Sequence, residues 1–190
     1  MPRVETFNRD LVLQNIMQVF WKKGYNGTSM QDLVNASNLN RSSLYNSFGD
    51  KMQLYKLALT TYMEGTGLQF EEVLNKSHNA LETIRNIFYS FLPEIATDSR
   101  GCMGMNCKAE MASDSNIKVW LENTQEQTLT LFQKLVKDGQ NQGVINKNQD
   151  CRTYAWHVFN AFQGFRMTGI LEKDEKVLKS IIHNSLKILE

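Results

Sequence analysis

Residues 41–46 read Arg-Ser-Ser-Leu-Tyr-Asn, placing a guanidinium, two hydroxyls, a phenol and a carboxamide within six positions. Such groups donate to phosphate oxygens and match the hydrogen-bonding edges of bases. On a helical projection of residues 39–48, Leu44 and Phe48 share one face. Ser42, Tyr45 and Asn46 fall opposite, with Arg41 at the leading end between the two faces. One face can build a core while the other reads a partner. No acidic side chain lies between Asp32 and Asp50, so nothing on that face repels a polyanion.

Reading groups need a frame, and the flanking sequence predicts one made of helices. Val12, Ile16 and Phe20 line a first helix that stops at Gly24, a residue suited to a left-handed C-terminal cap. Thr28 or Ser29 caps a short second helix carrying Met30, Leu33 and Val34. Asn40 caps a third over 41–48, and Asp50 starts a long fourth through Leu54, Leu57 and Tyr62, weakened midway by Gly65 and Gly67. Helices this short must be packed together to survive. Three of them within residues 8–48, the last two joined by a tight turn, have the outline of a helix-turn-helix unit. The turn calls for a left-handed residue, and Asn38 is the tolerant side chain available there.

An ordered set of residues then stands out. It comprises Gly24-Tyr25-Asn26-Gly27-Thr28-Ser29-Met30-Gln31-Asp32-Leu33, then Ala36-Ser37-Asn38-Leu39-Asn40-Arg41-Ser42-Ser43-Leu44-Tyr45-Asn46-Ser47-Phe48, then Lys51 and Leu54. Over residues 11–54 the chain resembles the N-terminal domain of the TetR (tetracycline-repressor) family of transcriptional regulators. The resemblance implies that Thr28 caps the second helix at the DNA backbone beside Ser29, and that Ser43, Tyr45 and Lys51 hold phosphates. Arg41, Ser42 and Asn46 would face the major groove. The family usually has Gly where Asn38 stands, often Pro where Gly49 stands, and commonly His where Asn46 stands. An Asn at that position can read adenine bidentately.

Composition fits this reading. The chain has 190 residues, 42% hydrophobic and 22% charged, in the range of ordinary globular domains. Its net charge of +1 is unevenly spread. Residues 1–60 carry seven Lys/Arg against four acids (Glu5, Asp10, Asp32, Asp50), and the remainder carries 14 against 16. A basic end on a near-neutral body suggests an anionic partner for that end. Three cysteines are too few for a disulfide framework, the N-terminus is charged where a signal peptide needs an apolar stretch, and no apolar run reaches a membrane span. A cytoplasmic protein without membrane contact is expected.

No enzyme is expected either. A G-x-S-x-G elbow, a Walker loop and an H-E-x-x-H helix are all missing, and Gly65-Thr66-Gly67 lacks the third glycine of a dinucleotide fingerprint. His78, His157 and His183 are scattered, and the gap from Cys102 to Cys107 does not suit a zinc knuckle, so no metal or cofactor is expected.

The reading is therefore all-α. A helix-turn-helix DNA-binding domain over residues 1–50 precedes a helical effector-binding and dimerisation domain over 51–190. Beyond residue 75, helices run through Leu81 to a break at Pro93, over a sulfur-rich stretch at 102–112, from Trp120 to about Gly139–Gly143, and over 151–170 and 174–189. The last two carry apolar stripes at bundle spacing. Ala155, Phe159, Phe162, Val177, Leu178, Ile181, Ile182, Ser185 and Leu186 are the candidate surface for a homodimer. Phe88, Phe91, Met103, Met105, Cys107, Met111, Trp120, Phe162 and Phe165 are candidates for an effector pocket, since aromatics and methionines make adaptable apolar walls. Cys102 and Cys107, flanked by Arg100 and Lys108, could include a thiolate of lowered pKa and sense oxidants or electrophiles. Equally they could be buried packing residues, because five positions turn a helix by about 140° and the pair would not share a face.

The implied function is a ligand-responsive regulator, of repressor type, released from a palindromic operator in double-stranded DNA by a small hydrophobic or reactive effector. The competing reading is a helical protein-interaction adaptor that never touches DNA.

Overall fold

The computed structural model describes residues 7–190; Arg3 and Glu5, which enter the charge count, lie outside the described residues. Those described form α1 (Arg9–Lys23), α2 (Met30–Ser37), α3 (Arg41–Phe48), α4 (Lys51–Lys76), α5 (Ala80–Ser90), α6 (Leu92–Thr97), α7 (Met103–Met111), α8 (Ser115–Gln142), α9 (Cys151–Thr168) and α10 (Glu175–Leu186), with a closing 3-10 turn at Lys187–Leu189. No strand occurs among them.

Local chemistry sets the helix ends. Asn8 accepts from the Leu11 amide at the start of α1, and Gly24, at φ 72°, ends it while donating its N–H to the Phe20 carbonyl. Asn38 takes the left-handed conformation, φ 55°, that the turn between α2 and α3 needs. Asn40 accepts from the Ser43 amide to start α3. Asp50 and Gln53 exchange side-chain to backbone hydrogen bonds of 2.8 and 2.9 Å at the start of α4. Gly65 and Gly67 do not interrupt α4, whereas Pro93 sits in the first turn of α6, where its missing N–H costs nothing.

The chain divides into two compact units. The first runs to Thr66 and takes in Met103–Lys118; the second holds Gly67–Cys102 and Val119–Glu190. In the first, Val12, Ile16, Phe20, Leu33, Leu44, Phe48, Leu54 and Tyr55 are buried, together with Met103, Cys107 and Met111 of α7. Each such side chain contributes about 1.5–3 kcal/mol on leaving water, which is what makes the eight-residue helices α2 and α3 stable.

The second unit has a core of Ile84, Ile87, Leu129, Val136, Val158, Leu178, Ile182 and Leu186 around a knot of phenylalanines. The Phe162 ring meets Phe70, Phe88, Phe91 and Phe132 edge-on at 5.3–5.9 Å between centroids. Beside it, the buried Arg166 guanidinium lies 3.9 Å over the Phe91 ring and pairs with Glu94 at 2.8 Å. Among the described residues no helix is long and apolar enough to cross a membrane.

Candidate nucleic-acid interface

The face predicted to read a partner is open. Arg41, Ser42, Tyr45 and Asn46 are exposed on α3, Ser43 is half-buried, and Leu44 and Phe48 face inward at 0% and 4% exposure. The rod is held at both ends. At the N-terminal end Asn40 caps the helix, and the Arg41 guanidinium lies 5.7 Å over the Tyr45 ring one turn on. At the C-terminal end Arg9 of α1 donates to the Ser47 carbonyl at 3.0 Å and covers the Phe48 ring at 4.4 Å. Arg9 was not among the residues singled out from sequence. It lies 38 positions from Ser47, and no local pattern ties the two together.

Around this rod, α2 begins with a reciprocal cap. Ser29 accepts from the Asp32 amide, and the Asp32 carboxylate accepts from the Ser29 N–H at 2.9 Å and its hydroxyl at 2.8 Å. Lys23 at the end of α1 adds an ion pair to Asp32 at 2.7 Å. The resemblance had placed this cap on Thr28, and the structure corrects it. Thr28 is 2% exposed and spends its hydroxyl on the Gly24 carbonyl at 2.6 Å, closing the turn one residue before the helix. Ser29 is therefore the exposed hydroxyl at the start of α2.

Lys23 and the Ser29 donors hold the Asp32 carboxyl well below its ordinary range, at about 2. The sign follows from which form is bonded. The cap's contribution to stability is complete above the unfolded carboxylate's pKa near ~3.9 and is lost as pH falls through about 2. Ser29→Ala should destabilise the first unit by about 1 kcal/mol. Asp32→Asn should flatten the acid limb of a plot of thermal midpoint against pH; an unchanged limb would show that Asp32 carries no such linkage.

At the start of α4, Lys51 sets its ammonium 4.4 Å over the Tyr25 ring. That ring packs against Tyr55 at 5.1 Å and Phe20 at 6.5 Å. Burial pushes the Tyr25 phenol above its ordinary range, with Asp50 and Asp114 adding to the effect. Tyr25 is thus a neutral platform for a cation. Ser29, Arg41, Ser42, Ser43, Tyr45, Asn46 and Lys51 all belong to the first unit, at the head of α2, along α3 and at the head of α4.

Residues 12–58 match the family model described as bacterial regulatory proteins, tetR family. The tetR-family match covers that segment, about a quarter of the chain. Across its full length the chain is 27% identical to the HTH-type transcriptional regulator YezE of Bacillus subtilis (strain 168), and all of both chains is aligned. It is 28% identical over 116 residues to the HTH-type transcriptional repressor ComR of Escherichia coli (strain K12), an alignment spanning 60% of this chain and 55% of ComR. Among solved structures, a cysteine-substituted form of the TetR family transcriptional regulator CifR, complexed with 26-base-pair operator DNA, shares the fold. The TM-score there is 0.85 at 24% identity, covering 99% of this chain and 100% of that one. These relatives are transcriptional regulators, not enzymes.

The remaining candidates fall in several places. Of the effector-pocket set, Met103, Cys107 and Met111 are buried in the first unit, while Phe88, Phe91, Trp120, Phe162 and Phe165 belong to the second. Cys107 is fully buried, and desolvation pushes its thiol up, partly offset by a hydrogen bond with the Tyr55 side chain. That is the opposite of the electropositive setting that lowers a thiol's pKa. Cys102 is half-buried. Among the described residues no three His, Cys, Asp or Glu side chains converge as metal ligands do.

The proposed dimer stripe also needs correcting. Ala155, Leu178, Ile182 and Leu186 are 0–2% exposed in the core of their own chain, and Phe159 is 8% exposed. A 3.6-residue stripe is most apolar where it covers its own core, so selecting by apolarity selects the inward face. The outward face of α9 and α10 presents Trp156 and Val177, each 41% exposed, beside half-buried Ile181 and Ser185. Val177, Ile181 and Ser185 line a shallow groove of about 540 Å³ on α10, with Lys176, Ser180 and Asn184.

Proposed function

We propose that this TetR-family chain is a dimeric, ligand-responsive repressor acting in the cytoplasm, whose α3 enters the major groove of a palindromic operator. Residues 1–50 supply the DNA-binding domain and residues 51–190 the effector and dimerisation domain. The observation that carries this reading is the face of α3. Four exposed polar groups, Arg41, Ser42, Tyr45 and Asn46, stand outward on a helix whose other face is sealed in a core and whose ends are held by Asn40 and Arg9.

In this reading Arg41, Ser42 and Asn46 contact base edges. Ser29, Ser43, Tyr45 and Lys51 hold phosphates, and Thr28 shapes the turn that presents Ser29. One helix of eight residues covers too few base pairs to specify a site, so a twofold partner is needed. It would set a second α3 about 34–36 Å away, one turn of duplex along. The exposed Trp156 and Val177, with half-buried Ile181 and Ser185, are the surface on which two chains would meet. The phenylalanine knot around Phe162 is the apolar region where an effector would act, shifting the balance between bound and free states by its differential affinity for them.

Titrating fluorescein-labelled random-sequence duplex DNA at several salt concentrations tests the reading. The logarithm of the binding constant should fall against the logarithm of salt by about 0.9 per phosphate neutralised, and Lys51→Ala should make that slope shallower by about one phosphate per head. Binding that is absent or indifferent to salt would favour the adaptor, in which Arg41, Tyr45 and Lys51 have no phosphate to hold.

A further inference from the structure

The turn between α1 and α2 is fixed by a residue remote in sequence. Glu110 of α7 accepts the Tyr25 N–H at 2.9 Å through Oε2 and the Asn26 N–H at 2.8 Å through Oε1. The approach is close enough that Gly24, at φ +72°, has no room for a side chain. A Cβ there would meet Glu110 Oε2 at 2.7 Å. The carboxylate stands at the C-terminal end of α1, where the helix dipole disfavours an anion. Lys22 and Lys23 occupy the last turn of the same helix. A group set against that dipole and bonded through both oxygens to consecutive amides is serving those amides.

Both ends of the proposed phosphate clamp meet at this turn. Through its ring, Tyr25 supports the Lys51 ammonium. Through its carbonyl, Tyr25 accepts the Thr28 N–H at 3.3 Å, and the Thr28 hydroxyl closes the turn onto Gly24, leading directly into the Ser29 cap. The segment 103–118 that carries Glu110 is joined on both sides, at Cys102 and Val119, to chain belonging to the second unit.

We infer that Glu110 is a positioning residue for DNA binding, a carboxylate latch through which α7 holds the Gly24–Ser29 turn so that Lys51 and Ser29 stand ready for the phosphate backbone. The inference rests on the DNA-binding reading above. A shift of α7 would release two amides at once and loosen both phosphate contacts without touching α3.

The sign of the effect separates this role from a merely electrostatic one. Glu110 is an anion in the same compact unit as α1–α3, so as a charge alone its removal should tighten binding to a polyanion. As a latch, its removal should weaken it. Glu110→Ala is expected to weaken binding to labelled random-sequence duplex about tenfold and to make the salt slope shallower, as Lys51→Ala does. Glu110→Gln removes the same charge but keeps one acceptor oxygen, and should lose roughly half as much on a logarithmic scale.

Amide hydrogen exchange supplies the second readout. Tyr25 and Asn26 should exchange about tenfold faster in Glu110→Ala while Leu44 in α3 is unchanged. Tighter or unchanged DNA binding, equal losses in the Ala and Gln variants, or faster exchange spread evenly over the head would each overturn the latch. If the unsubstituted chain ignores duplex DNA, the regulator reading itself fails and the role of Glu110 goes with it. Normal binding in both the unsubstituted chain and Glu110→Ala removes the latch alone.

Discussion

Replacing Arg41 by alanine should all but abolish recognition of a specific operator while leaving weak, salt-dependent binding to any duplex. A bidentate contact to a base is worth about 1–3 kcal/mol of discrimination. The proposed symmetric dimer would use it twice, so the expected loss is about 2–6 kcal/mol, up to a factor of ~10⁴. The guanidinium is exposed at the leading end of α3 and lies over the Tyr45 ring, which restricts its freedom before any partner arrives. Less ordering remains to be done on binding, and that favours a specific contact over a diffuse one. Arg41→Lys is the sharper variant. It keeps the charge, and so the salt slope, but loses the planar fork and the stacking. Selection of bound duplexes from a random pool should then return a sequence degenerate at one base pair of each half-site. A pool identical to that of the unsubstituted chain would show that Arg41 holds only phosphate.

The outward and inward faces of α3 were legible in the sequence because a helix of fixed period leaves little choice once Leu44 and Phe48 are assigned to the core. The caps at Asn40 and Asp50 and the left-handed Asn38 were legible for the same reason, since each is a local rule acting over three or four residues. Thr28 and Ser29 show where such rules stop. Both side chains can cap, and the choice fell to Ser29 because Asp32 three positions on can return the hydrogen bond while Thr28 reaches back to Gly24. Arg9 and Glu110 lay beyond sequence reasoning. Each acts on backbone groups 38 and 84–85 positions away, and a backbone amide or carbonyl leaves no trace in residue identity. The α9 and α10 stripes failed differently. Periodicity located both helices but says nothing about whether an apolar face meets its own chain or a copy of it, and the buried Leu178, Ile182 and Leu186 went to the chain's own core.

The second large effect is expected at Phe88, which is fully buried and touches Phe162 edge-on at 5.3 Å and Phe165 at 5.7 Å. Phe88→Ala removes a ring from a close-packed knot and should cost about 3–5 kcal/mol, a large share of the roughly 5–15 kcal/mol that holds a domain folded. At about 2–4 °C per kcal/mol for a chain of this size, the thermal midpoint should fall by roughly 6–20 °C. Phe88→Leu keeps most of the volume and should lose much less. The same variant bears on where an effector acts. A ring-sized apolar cavity enclosed by phenylalanines stays dry and admits benzene, so saturating benzene should raise the midpoint of Phe88→Ala and leave that of the unsubstituted chain unchanged. If the knot is also where an effector shifts the DNA-binding equilibrium, benzene should change the affinity of Phe88→Ala for duplex DNA as well as its stability. Rescue of stability with no change in DNA affinity would mean that the knot is core alone, and the effector would have to be sought elsewhere in the chain.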